Sequence, residues 1–204
     1  MVKIITVAQQ KGGATKTTTS MNLAGAFIEL GYLVRVADMN NEQRSAAKWA
    51  NRGDEFQNIV VSISDRQPRK DIADISNVDF IIIDTPPELM TPALKAALLS
   101  DLIIIPCPPS PLDLEAAEET VDLAETTGKS FKLLASNVRT GTSIGKKFPE
   151  TLGRLGEVFK TTIHQRVSII EAAMVGKWIG SYAPNSGGHV EYKKLAEEVI
   201  DLWR

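Results

Sequence analysis

The chain has 204 residues, 43% of them apolar and 24% charged, with a formal net charge of −2. That length is enough for one domain of the larger kind with a full core, and the composition is ordinary for a soluble globular protein. The charge balance offers no global basic field to nucleic acid. The single cysteine, Cys107, excludes an internal disulfide and fits a reducing compartment, and the isolated His164 and His189 make a zinc site a poor fit.

Val2–Ala8 reads as a buried strand. It feeds into Gln-Gln-Lys-Gly-Gly-Ala-Thr-Lys-Thr-Thr-Thr-Ser at Gln9–Ser20, from which a helical pattern, Thr17–Leu30, leaves with Leu23, Phe27 and Leu30 at helical spacing. Strand, tight loop and helix is the context in which backbone N–H groups and a helix N-terminus cradle a phosphate. Gly12 and Gly13 allow the chain to bend and an anion to come close, Lys16 can neutralise phosphate charge, and the Thr17 hydroxyl is placed to hold Mg²⁺. Gly31 stops the helix.

A second strand, Leu33–Ala37, ends at Asp38. A short helix is expected at Ser45–Ala50, a third strand at Ile59–Ile63 and another short helix near Asp71–Ile75. Val78–Asp84 is apolar until it stops at a carboxylate, the signature of a central parallel strand buried on both faces. Thr91–Ser100 reads as a helix, Asp101–Cys107 as a further central strand and Pro106–Pro111 as a rigid extended segment. Asp113 opens a helix with Leu114, Ala117, Val121 and Ala124 on one face. Phe131–Ser136 is a strand ending at Asn137, Ser143–Leu155 a helix interrupted by Pro149, Glu157–Thr162 a last strand and Ser168–Val175 a short helix. Gly187-Gly188 introduces a C-terminal helix with Tyr192, Leu195, Val199 and Leu202 inward.

Strands alternate with helices throughout, so the expectation is one α/β three-layer domain, residues 1–204, around a mostly parallel sheet. Asp38, Asp84, Cys107–Ser110 and Asn137 all fall at C-terminal ends of strands, as does the glycine-bearing loop. In a parallel sheet these ends share one edge and can meet on one ligand. No apolar run approaches about 18 residues and no leader segment is visible, so neither export nor membrane spanning is expected.

The loop resembles the deviant phosphate-loop form Lys-Gly-Gly-x-Gly-Lys-Thr-Thr, with the extra Lys11 at its start, of the ParA/MinD family of dimeric ATPases. Asp84-Thr-Pro-Pro87 is similar to that family's second acidic motif. Pro109-Ser-Pro-Leu-Asp113, Glu171-Ala172 with Gly176-Lys177, and Tyr182-Ala-Pro-Asn-Ser186 resemble small ParA proteins, so the likeness covers nearly the whole chain. It implies ATP and Mg²⁺ as cofactors, with Gly12, Gly13, Ala14, Thr15, Lys16, Thr17 and Thr18 on the phosphates. Thr17, Asp38 and Asp84 would serve the metal, Asn137 would read the adenine edge, and Pro108 with its neighbours would pack near the base. Lys11, Lys16, Asp38 and Asn40 are the catalytic candidates, Lys11 by crossing to the nucleotide of a second copy. The implied partners are a homodimer with ATP, a ParB-like adaptor and non-specific DNA, with no membrane, in a cytoplasmic, nucleoid-associated setting. Arg139, Lys146, Lys147, Arg166, Lys193 and Lys194 are the leading candidates for DNA contacts, and Arg154, Lys160 and Arg204 extend the set.

Two positions depart from the family pattern. Asn40 stands where a second aspartate would orient or activate water. An amide bonds water but cannot take its proton, so slow turnover is expected unless Glu42 substitutes. Thr15 stands where the pattern has glycine, and a β-branched residue resists positive φ. The resulting expectation is a cargo-positioning ATPase. The alternative is a hydrolysis-poor ATP-binding switch that regulates another protein.

Overall fold

The structure, a computed structural model, describes residues 1–40, 42–87 and 90–204. The first half of the chain runs β1 (Lys3–Val7), α1 (Lys16–Glu29), β2 (Val34–Asp38), α2 (Ser45–Ala50), β3 (Val60–Ser62), α3 (Pro68–Ala73), β4 (Phe80–Asp84) and α4 (Met90–Leu99). The second half runs β5 (Leu102–Cys107), α5 (Pro111–Thr127), β6 (Phe131–Ala135), α6 (Ser143–Leu152), α7 (Val167–Met174), α8 (Ile179–Tyr182) and α9 (Gly187–Asp201). The strands form one six-stranded sheet in the order β3-β2-β4-β1-β5-β6, and every pairing is parallel.

Side chains alternate across the sheet, and each set meets its own helix layer. Ile5, Val7, Val36, Phe80, Ile82 and Ile104 pack with Phe27 of α1 and Tyr192 and Leu195 of α9. Ile103 and Ile105 pack on the opposite side with Ala117 and Val121 of α5, while Ile81 and Ile83 meet Ile72 of α3 and Ala96 of α4. The Phe27 ring stacks on Phe80 with centroids 4.2 Å apart. Gly25 lets α1 pass beneath Trp178, since a Cβ there would fall 2.3 Å from the indole. Burial on both faces is why β4 and β5 read as continuous apolar runs.

The register places the functional edge. Asp38 pairs with Asp84 across β2 and β4, and Val7 pairs with Asp84 across β1 and β4. The loop after β1 therefore opens beside two strand-end carboxylates.

The sheet is fully parallel, in keeping with the expected architecture, but several local expectations are corrected. Glu157–Thr162 forms no ladder. It follows β6 through single bonds, such as the Leu133 N–H to the Glu157 carbonyl at 2.8 Å and the Phe159 N–H to the Leu133 carbonyl at 2.9 Å. α3 starts at Pro68 rather than near Asp71, and α5 at Pro111 rather than Asp113, because proline is preorganised for the first helical turn. The proline-rich segment is accordingly split between the end of β5 and the start of α5. α6 runs through Pro149 and stops at Leu152. Leu202 is 41% exposed beyond the end of α9 instead of lying on its inner stripe. α8 was not anticipated.

Candidate functional site

The loop between β1 and α1 is built around two left-handed residues. Gly13 has φ 79°, and no atom crowds its missing Cβ, so conformation rather than space requires glycine there. Thr15 has φ 63° despite its β-branch, and its Oγ1 donates to Ser136 Oγ at 2.8 Å, which ties the loop to the end of β6. Thr15 is also the N-cap of α1, and its side chain makes no capping bond. The first N–H groups of a helix have no intrahelical acceptors, and together with the helix dipole they attract anions. An uncapped α1 offers those donors to a ligand.

Lys16 lies at that N-terminus with its Nζ donating to the Lys11 carbonyl at 2.9 Å. Lys11 Nζ is ion-paired with Asp113 Oδ2 at 2.9 Å, in the first turn of α5. Ser110 caps α5 and also bonds the Asp113 carboxylate, so the partner of Lys11 is itself held in place. The next α5 contact is the Gln10 N–H, which donates to Thr120 Oγ1 at 3.3 Å.

On the other side, Asp84 is fully buried and accepts from Thr17 Oγ1 at 2.7 Å and Ser20 Oγ at 3.0 Å. Burial pushes its carboxyl up to about 7, with the neighbouring Asp38 charge adding to the rise. Asp38 is bound differently: its Oδ1 accepts from the Asn40 N–H at 3.0 Å and its Oδ2 from the Ala47 N–H at 2.9 Å. The N-cap of α2 is Arg44 in a left-handed conformation with no side-chain cap, so Asp38 supplies the capping oxygen from the strand end. Burial raises the Asp38 carboxyl as well, against the lowering effect of these amides. Asn40 is buried in a local turn: its Oδ1 accepts from the Gln43 N–H at 2.9 Å. Asn41, part of the departing segment, lies outside the described residues, and Glu42 is exposed.

Past Thr15 a cavity of about 330 Å³ opens among Thr18, Asn137, Gln165, Ile169 and Ile170. Asn137 is exposed there at φ 53°. Pro108 is buried at the end of β5 and does not line this cavity. Behind the wall, Glu191 bonds His164 Nδ1 at 2.9 Å and Arg166 Nη2 at 2.5 Å.

Comparison with known proteins places this geometry. A family model described as an AAA domain, AAA_31, matches residues 2–75. Maintenance of carboxysome distribution protein A of Gloeobacter kilaueensis is 31% identical over 99% of this chain and 96% of its own length. The chain belongs to the ParA/MinD family of P-loop ATPases. The sporulation initiation inhibitor protein Soj of Bacillus subtilis is 25% identical, covering 98% of each chain. The fold is that of the septum site-determining protein MinD of Pyrococcus horikoshii, solved with Mg-ADP: TM-score 0.81 at 23% identity, over 100% of this chain and 98% of that one.

That MinD was solved with Mg-ADP, and the residues of this chain suit a nucleotide and Mg²⁺. The Thr17 hydroxyl and the Asp84 carboxylate it bonds are hard oxygen donors. Among the described residues no group of three His, Cys, Asp or Glu could hold a metal ion. Of the DNA candidates, Arg166 is paired with Glu191, Lys193 with Glu29 at 3.0 Å, and Arg139 Nε donates to Gln165 at 2.9 Å. Lys146 and Lys147 stay exposed on α6, and Lys194 is exposed on α9 beside the acids Glu197 and Glu198. Reading the sequence missed Ser20, Ser136 and the cavity wall at Gln165, Ile169 and Ile170. Ser20 was the most accessible of these, lying one turn from Thr17 on the same helix face. No helix among the described residues is long and apolar enough to cross a membrane.

Proposed function

We propose that this chain is an ATP-driven positioning ATPase. ATP and Mg²⁺ close a homodimer, the dimer holds non-specific DNA, a ParB-like adaptor stimulates hydrolysis, and the ADP form lets go of the nucleoid. The observation that carries the reading is the meeting of Lys16, Thr17, Asp84 and the uncapped α1 N-terminus at one edge, with a second cation, Lys11, beside them. A triphosphate between two like surfaces is neutralised by a cation from each, so ATP acts as glue and loss of the γ-phosphate weakens it. For Lys11 to reach a second copy it must leave Asp113. Asn137 would meet the base in the cavity past Thr15. Arg139, Lys146 and Lys147 around α6 offer phosphate contacts, and Lys194 a further one. The name of the carboxysome-distribution relative supports a positioning role.

One observation favours a second reading, a switch that holds ATP and scarcely hydrolyses it: the Asn40 amide is occupied by the Gln43 backbone and carries no base. Two measurements decide. Mass in solution with Mg-ATP, Mg-ADP and neither should double only with ATP. Phosphate release that rises on adding DNA and adaptor supports the positioning cycle, whereas an ATP dimer with no release under any condition supports the switch. A chain that stays single at saturating Mg-ATP overturns both.

A further inference from the structure

The chain from Glu157 to Arg166 joins its neighbours through scattered bonds. The Val138 N–H donates to the Ile163 carbonyl at 3.1 Å, and the Gln165 N–H returns to the Val138 carbonyl at 2.9 Å. From behind, α9 brackets this segment with two carboxylates about two turns apart, hence on one helix face. Glu198 accepts from the Lys160 N–H at 2.8 Å, the Thr161 N–H at 2.7 Å and the Thr161 hydroxyl. Glu191 accepts from the His164 N–H at 3.0 Å through Oε2, and through Oε1 from His164 Nδ1 at 2.9 Å and Arg166 Nη2 at 2.5 Å. The Glu191 side chain is only 15% exposed, so water does not readily replace it as the acceptor. Arg166 depends on that bond: its Nε is buried and meets no acceptor among the described residues. Gly187 leaves the guanidinium its room, since a Cβ there would fall 2.4 Å from Nη2.

The two brackets support different things. His164, Gln165 and Arg166 line the cavity past Thr15 together with Asn137, whereas Lys160 and Thr161 do not. We propose that Glu191 is a positioning residue for base selection: from α9 it fixes the wall against which the nucleobase of the bound triphosphate is read. This rests on the reading given above, in which the base enters that cavity. Adenine presents an N6 donor where guanine presents an O6 acceptor. A site tells them apart only if its polar groups are held still, because a wall that can shift accommodates either edge. Gln165 stands between the two residues that Glu191 holds, and its own amide is oriented by Arg139 Nε, which donates to Oε1 at 2.9 Å. Glu191 touches no nucleotide itself. It acts by removing the freedom of the backbone that carries Gln165 past Asn137.

The test is calorimetric titration of the full chain with ATP and with GTP, each in Mg²⁺. The parent should prefer ATP by at least about tenfold. In E191Q a single amide oxygen replaces two carboxylate oxygens, and an NH₂ group faces a donor. ATP affinity should then fall about tenfold and GTP affinity by less than about twofold, which erases the preference. E191D, which keeps the charge and both oxygens, should recover part of it. E198Q makes the same chemical change about two turns along α9, away from the cavity, and should keep the parent's preference. Thermal melts check that each variant folds; a stability loss shared by E191Q and E198Q, with selectivity moving only in E191Q, separates positioning from support of the fold. A parent without preference, an unchanged preference in E191Q, or an equal collapse in E198Q overturns the proposal and leaves the ATP-driven cycle standing. A parent that binds neither nucleotide overturns both.

Discussion

Asp38 and Asp84 end neighbouring strands in register, yet their donors make them different groups. Asp84 is held by two hydroxyls, those of Thr17 and Ser20, which can rotate towards another acceptor. Asp38 is held by two backbone N–H groups, one of them in the first turn of α2, which cannot turn away. A carboxylate at a strand end is thus not by position alone a metal or water ligand. What it can give up decides, and Asp84 can exchange a hydroxyl for the water of a magnesium shell while Asp38 is occupied in capping a helix.

The largest expected effect comes from restoring a carboxylate that is not already committed. Asn40→Asp keeps the oxygen that accepts from the Gln43 N–H and adds a second, basic one. Single-turnover phosphate release should rise by about 10²-fold or more, the scale of a positioned general base, with ATP affinity little changed. An unchanged rate would show that position 40 does not reach the attacking water, and would move attention to Glu42.

Asp84→Asn is the next largest. Titration with ATP in magnesium should weaken by roughly a hundredfold, about 3 kcal/mol, while the nucleotide-free protein should melt higher. The second half follows from the raised carboxyl. With a folded value of about 7 against an ordinary 3.8, the native state keeps a proton that the unfolded chain releases between those values. The contribution of Asp84 to the stability of the nucleotide-free protein is therefore greatest near pH 4 and falls as pH rises to 7, by an amount on the order of a few kcal/mol. Melting curves across pH 4–8 should show that fall in the parent chain and flatten in Asp84→Asn. A parent curve that instead rises over this range would mean Asp84 stays ionised when buried.

Asp38 gives a smaller and purely structural response. Asp38→Ala strips acceptors from two N–H groups and should cost about 2 kcal/mol in thermal or denaturant unfolding, with amide exchange fastest in Ser45–Ala50. Asp38→Asn keeps one oxygen and should cost about half as much. Equal losses of magnesium-dependent ATP binding in Asp38→Asn and Asp84→Asn would erase the distinction between the two carboxylates.

How far the sequence reveals this site follows from the range of the forces involved. The strands β4 and β5 were legible because two-sided burial demands unbroken apolar runs, and the shared edge because parallel strands must end together. The phosphate loop was legible because its glycines, lysine and threonine are contiguous. The partners of those residues were not. Nothing local says that Lys11 meets Asp113, over a hundred positions away, or that Thr15 meets Ser136. Asp38 as the cap of α2 was equally hidden, since a capping oxygen is expected at the N-cap itself and Arg44 occupies that place. Glu157–Thr162 misled for the opposite reason: its apolar pattern fits a strand, but only scattered bonds join it to β6.

Thr15 carries the smallest stability effect and separates strain from bonding. A left-handed conformation costs a β-branched residue about 1–2 kcal/mol, and its bond to Ser136 returns about 1 kcal/mol. Thr15→Gly relieves the first, forfeits the second and adds about 0.5–1 kcal/mol of unfolded-chain entropy, so its net effect on melting should lie within about 1 kcal/mol of zero. Ser136→Ala breaks the same bond without relieving the backbone and should cost about 1 kcal/mol. The two variants then diverge in nucleotide binding. Thr15→Gly frees the loop to close on the phosphates and removes a side chain from the cavity mouth, so ATP affinity should improve a few-fold, whereas Ser136→Ala should leave it nearly unchanged. If instead Thr15→Gly weakens ATP binding, the tether to β6 is what preorganises the loop, and the strain at Thr15 is the cost of holding that shape ready.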